Sequence, residues 1–269
     1  MKSLLAVAFS TLFFWPHFVT AADPGSSPRA NTFEAPSVDD ILAKVTQHGN
    51  DPVSDDARVA FAYDRTSRVD YLDERGGLKN QVVRLYHVEP LNGKSVTKLL
   101  SVNGRAPTEK EEHSRSAARE TGDKTRSLEL SEDVLSRFDF VLKGSDSFMN
   151  RPVWVLGFSP KADAPINGFT DRLINAMSGT IWIDQTDFQM AKADIHLSHR
   201  VSFFGGLAGA IDHLDLHLVQ KRLAPDIWLA EALTLDFTGR KLFSPMRFRC
   251  FENCSGFREG TKAQASSAR

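Results

Sequence analysis

Between residues 211 and 220 the chain reads IDHLDLHLVQ, with leucines at 214, 216 and 218 and His213, Asp215 and His217 in the places between. Side chains alternate faces along a strand, whereas a helix would scatter these leucines around its axis. The pattern predicts a β-strand with one apolar and one wet face. On a helix His213 and His217 would stand one turn apart and could clamp a metal. On a strand about 13 Å separates them.

The same period of two governs most of the chain. RVAFAYDRTSRVDYLDER reads as a long strand that Gly76-Gly77 turns into QVVRLYHVEP, and Asn92-Gly93 turns that into KSVTKLLSVNG. These three runs form an antiparallel meander. FDFVLKGSD and RPVWVLGFSP predict a hairpin, and GTIWIDQTDFQMAKADIHLSHRV, AIDHLDLHLVQKRL, DIWLAEALTLDFTGRKLF and MRFRCFENC supply the remaining strands. Helix signals are few. SVDDILAKVTQHG has Ser37 as N-cap, Asp40 at the capping-box position, Gly49 as a stop and an apolar face of Val38, Ile41, Leu42 and Val45. SEDVLSRF, from Ser131, and FTDRLINAMSG predict two shorter helices. The fold class is mostly β, in the α+β sense.

The ends suggest export. LLAVAFSTLFFW, preceded by Lys2 and followed by small residues before Asp23, has the parts of a secretory signal peptide cleaved after Ala21 or Ala22. No membrane-spanning segment is expected after cleavage, and a periplasmic location follows. Residues 1–22 are then the signal peptide, 23–36 a flexible leader, 37–258 a single domain and 259–269 a mobile tail. Within the domain, TEKEEHSRSAARETGDKTRS at 108–127 loses nearly all apolar content and reads as a solvated excursion. A formal net charge of −1 gives no electrostatic case for nucleic acid or for an anionic membrane surface.

The strand before 211 alternates too, with Asp194, His196, Ser198 and Arg200 on one side and Ile195, Leu197 and Val201 on the other. Pairing through the glycine-rich FFGGLAGA would set His196 beside His217, Ser198 beside Asp215 and Arg200 beside His213. A register shift of two preserves this sidedness. The plain reading is a wet sheet face. A metal site at His196, His213 and His217 is the weaker alternative, and no cofactor is expected. Cys250 and Cys254, in CFENC, lie too far apart in a continuous strand to bond, but Asn253, Ser255 and Gly256 are turn formers. With export, a local disulfide is the expectation and free thiols the alternative. No G-x-S-x-G, H-E-x-x-H or phosphate-cradling loop is present, so an enzyme is not expected.

The order of these parts, the helix DDILAKV followed by meander strands and then NRPVWVLGFSPK, SGTIWIDQTDFQMAKADIHLSHR and DIWLAEALTLDFTGRKLF, resembles the LolA/LolB-like superfamily of periplasmic lipoprotein and lipid carriers. The resemblance spans residues 37 to 251. It implies a strongly curved antiparallel half-barrel, with a few helices on its concave side and an apolar cavity for acyl chains. The charged excursion and the cysteine pair depart from that pattern, and no counterpart of the family's lid-closing arginine is found. Candidate cavity residues are Trp154, Trp182, Phe203, Phe204, Leu214, Leu216 and Leu218. An ordinary packed core is the alternative, in which Phe203 and Phe204 lie against a helix such as 38–47. The expected partners are lipid or lipoprotein acyl chains. An envelope-stress sensor or scaffold binding a protein is the second reading, and an unrecognised hydrolase the third.

Overall fold

Ser37 begins the first helix as its sequence predicts. Its Oγ accepts the backbone N–H of Asp40 at 3.1 Å and donates to the Asp40 carboxylate at 2.7 Å. The computed structural model describes residues 36–49, 60–91, 94–112, 132–203, 206 and 208–260. The predicted signal peptide, nearly all of the leader, Asn92-Gly93, the polar segment beyond 112, Phe204 and the tail from 261 lie outside the described residues. Where that segment is described, Glu111 bonds back to Thr108 as a capping pair and to Arg105 through both carboxylate oxygens.

Three helices are described whole, α1 (Val38–Gly49), α2 (Glu132–Leu135) and α3 (Phe169–Ile174), and residues 109–112 are helical as well. The strands are β1 (Phe61–Leu72), β2 (Leu78–Leu91), β3 (Lys94–Val102), β4 (Phe138–Phe148), β5 (Arg151–Pro160) and β6 (Met177–Asp184). They continue as β7 (Met190–Leu197), β8 (Val201–Phe203), β9 (Gly209–Ala224), β10 (Ile227–Lys241) and β11 (Ser244–Glu259).

One antiparallel sheet contains them all, in the order β3-β2-β1-β11-β10-β9-β7-β6-β5-β4, with β8 on β9. The predicted meander and hairpin are both present. The meander joins the rest of the sheet because β1 pairs with β11 over most of its length. The sheet does not close, so β3 and β4 are its edges among the described strands.

The sheet curves around α1. Ile41, fully buried, and Val45 enter one contiguous cluster with Leu156, Ile181, Ile183, Ala193 and Leu218, flanked by Phe140 of β4 and Leu233 of β10. Six flat strands would span about 24 Å, more than twice the width of one helix, so the strands wrap the helix. Burying each such Ile or Leu contributes roughly 1.5–3 kcal/mol. α3 fills the same side nearer the β8 end, with Leu173 against Ile211, Leu214 and Phe237. This is the expected open half-barrel with helices on its concave side.

Candidate functional site

The leucines at 214, 216 and 218 face the concave side, and their register carries that face across the sheet. Directly opposed residues share a face, so four concave rows can be followed through β10, β11, β1 and β2. The first joins Phe237, Phe248, Tyr71 and Asn80; the second joins Leu235, Cys250, Val69 and Val82. The third runs Leu233, Glu252, Ser67, Arg84, and the fourth begins at Cys254 and continues through Arg65 to Tyr86. The first two rows are mostly apolar and the next two carry the charge.

The two halves of the concave face differ. Over β4 to β10 it is filled by α1 and α3. Val69, Val82 and Cys250 are half-buried and belong to none of the apolar clusters formed by the described residues. Phe248 bridges the halves, stacked on Phe237 with ring centroids 4.8 Å apart. The result is an apolar shelf, two rows wide, that ends against a polar strip.

Arg65 dominates the strip. Only 4% exposed, it stacks its guanidinium 4.3 Å from the Tyr86 ring centre, and its buried Nε has no hydrogen-bond partner among the described residues. Burial and the charge of Glu252 push the Cys250 thiol up to about 11, against opposing contributions from Ser67, Arg65 and Arg84. Burial pushes Cys254 up to about 12. Neither thiol is poised as a nucleophile. Of the strip, Arg65, Ser67 and Cys254 are closed to solvent and Arg84 and Glu252 are half-buried, while the shelf offers apolar surface suited to hydrocarbon.

The predicted cavity residues separate into three groups. Trp154, Leu214, Leu216 and Leu218 face inward but pack into the core made with α1 and α3, so the space above them is filled. Phe203 stacks on Phe169 of α3 at 3.9 Å, the helix-packed alternative, though on a different helix from the one expected. Phe204 lies outside the described residues. Trp182 needs correction. It pairs with Lys192 on the opposite face, where the Lys192 ammonium sits 3.9 Å from its ring centre and Val153, Ala191 and Trp228 form a separate cluster.

The cysteine expectation is also corrected. β11 runs unbroken through residues 250 and 254, and both thiols are free. The turn tendency of Gly256 is absorbed in a bulge, where its φ of +66° accompanies the register shift between Ala62 and Asp64.

The convex face is the wet one, and His196, His213 and His217 all lie on it. Its register is two residues from the one predicted: Asp194 opposes His217 and His196 opposes Asp215. His217 Nδ1 meets Asp194 at 2.6 Å, His213 Nε2 lies 3.7 Å from Asp215, and His196 Nε2 lies 3.0 Å from Ser178 Oγ. Among the described residues no three metal-capable side chains converge. Burial raises the Asp215 carboxyl, and Asp236 opposite adds to it against the three histidines.

Sequence reading missed a buried network in the DQTDFQ turn between β6 and β7. Asp184 accepts both arms of Arg151, and Asp187 accepts Arg222 and the Trp228 indole N–H at 2.9 Å. Burial pushes both carboxyls up, but the hydrogen bonds outweigh it and hold them below the usual range. Two aspartates three residues apart, after an apolar strand, were the available signal.

No family model matches the chain, and no curated protein does. Solved structures do. An outer membrane lipoprotein-sorting protein domain from Vibrio parahaemolyticus is 13% identical, with 83% of this chain and 94% of that chain covered, at a TM-score of 0.37. A DUF1329 family protein from Desulfovibrio piger is 10% identical, with 82% and 90% covered, at 0.33. A LolA superfamily protein from Nitrosomonas europaea is 12% identical, with 85% and 96% covered, at 0.30. At these values the likeness says nothing about activity. The half-barrel stands on the strand order and the helix it encloses.

Proposed function

We propose that this is an exported, non-catalytic binding protein that holds lipid acyl chains, or the acyl chains of a lipidated protein, in the concave groove. The observation that supports this reading is the half-buried row of Leu235, Cys250, Val69 and Val82, continued by Phe248, on the concave face beyond the helix-filled core. Each methylene buried there contributes about 0.8 kcal/mol, so hydrocarbon is held by area and needs no reaction. Half-buried Arg84, beside the shelf, suits the polar end of such a molecule.

The groove, and not the tryptophan and leucine set on β5 and β9, is the place to test. The chain should bind a fluorescent fatty-acid analogue at micromolar concentration. Val69→Arg or Val82→Arg should abolish binding while leaving the circular-dichroism spectrum and Tm near wild type. Phe203→Ala should lower Tm more than it lowers affinity, because its ring is already covered by Phe169. A wild-type chain that binds no acyl probe would remove the reading.

A second reading is a protein partner. β3 and β4 each have one neighbour among the described strands, so each presents a row of backbone groups to which an extended segment could add. A stoichiometric partner that copurifies without lipid, and is lost on placing proline in β4, would favour this reading.

A further inference from the structure

The hairpin joining β10 to β11 has an unusual tip. Lys241 pairs with Ser244, so the turn is the two residues Leu242 and Phe243. Such turns ordinarily take Asn-Gly, because they need positive φ. Here Leu242 adopts φ +55°, a conformation that bulky residues rarely occupy, and Phe243 is 85% exposed. Leu242 N–H donates to Ala208 O at 3.1 Å, which ties the tip to the segment before β9. Neither side chain gains a core position for this strain, and a strained, solvent-facing apolar pair points to a function outside the fold.

The surroundings identify the partner. The β1–β2 turn lies alongside, where Arg247 Nη1 reaches Glu74 O at 3.5 Å, and it brings exposed Leu78 and Tyr71 to the same end of the sheet as Met246. A shallow cleft between the turns is lined by Lys79 and Arg247 together with Asp73 and Glu74. Asp73 Oδ1 is taken by the backbone N–H groups of Arg75 and Gly77. Lys79, Lys241 and Arg247 form no ion pair among the described residues. Lys241 adjoins the apolar tip, and Lys79 and Arg247 line the neighbouring cleft with Asp73 and Glu74. Slightly more cation than anion thus lies behind the exposed apolar pair, an order that suits hydrocarbon and phosphate at an anionic bilayer surface.

We propose that the Leu242–Phe243 tip docks this protein on anionic lipid bilayers, with Phe243 entering the headgroup layer and Lys79 and Lys241 meeting phosphates. The tip and the row of Phe248 and Tyr71 lie toward the same end of the sheet, so docking would bring that end of the groove toward the membrane. This inference goes beyond the groove reading and does not depend on what the groove holds.

The test is cosedimentation with vesicles of phosphatidylglycerol and phosphatidylethanolamine, and separately of phosphatidylcholine. The full chain and a chain beginning at Asp23 are both used, so that the apolar run at residues 4–15 cannot supply the binding. Binding should favour the anionic vesicles and weaken with salt. Leu242→Gly with Phe243→Ser, in which glycine suits the positive φ, should keep Tm and acyl-probe binding but lose at least about tenfold in vesicle affinity. Lys79→Glu with Lys241→Glu should remove most of the salt dependence. No vesicle binding by wild type, equal binding to phosphatidylcholine, or full binding by the tip variant would each overturn the proposal. A protein captured through Phe243 by a chain that ignores vesicles would assign the tip to that partner instead.

Discussion

Asp184, fully closed to solvent, accepts Arg151 Nε at 2.6 Å and Nη2 at 2.8 Å, clamping the start of β5 to the end of β6. Arg151 also lies 3.5 Å from Asp187, so one guanidinium serves two buried carboxylates. Arg151→Met should therefore cost about 3 kcal/mol or more, because it strands charge that cannot reach water. Urea unfolding measures this. A companion Asp184→Leu in the same chain should return much of the loss, and failure to do so would show that the pair acts through packing alone.

Acid should act on the same network. Both aspartates have folded pKa values below the unfolded value of about 3.9. Their contribution is thus complete above that value and is lost as pH falls through the lower folded values. Urea midpoints should hold steady down to about pH 5 and drop steeply below pH 4. Asp184→Asn should be less stable at neutral pH and show a shallower acid limb. Parallel acid limbs for the two proteins would contradict the assignment.

Asp215 has the opposite sign. Its carboxyl is raised by burial and by Asp236, so its favourable contribution is present below the unfolded value and is lost as pH rises through the folded one. Asp215→Asn should raise Tm by about 1–3 °C at pH 7, and the gain should shrink at pH 3, below the unfolded value of about 3.9. Thermal melts at the two pH values decide it.

The strand geometry of the cysteines gives a chemical expectation. With thiols raised to about 11 and about 12, fewer than about one in a thousand is thiolate at pH 7.5. Native protein should label with iodoacetamide slowly, and both thiols should label at once in denaturant. Protein that shows no thiols even when unfolded would mean the strand had curled after all.

Period-two patterning made the strands, their facing and the capped helix legible, because pleat and capping are local. Register was not, since His196 can oppose Asp215 or His217 without exposing a leucine. Bulges were invisible. Glu231 is the extra residue between Ala230 and Ala232, and it moves Ala230 onto the face of Leu233. Trp182 was ambiguous because Ile181 and Ile183 beside it are apolar too, so neither face of β6 looked wet. The groove was hidden because its rows are assembled from β11, β1 and β2, whose partners no single segment reveals. Most of these misses concern how distant segments align; the turn read into CFENC was a local misreading, because pairing with β1 and β10 holds β11 extended there.

The pairing of β1 with β11 also sets a timetable. Val69 meets Cys250, so the ladder that unites the two parts of the sheet joins segments roughly 180 residues apart. During synthesis the meander β1–β3 waits with β1 as a bare edge, and β4–β10 waits with β10 as another. Only the arrival of β11 covers both. A chain built this way leaves its sheet incomplete until β11 has been made. It also leaves two sticky edges open to a holding chaperone for the whole of that interval. Cutting the hairpin at Leu242–Phe243 would free β11 as a separate segment, able to be added back in trans to a sheet that lacks its central strand.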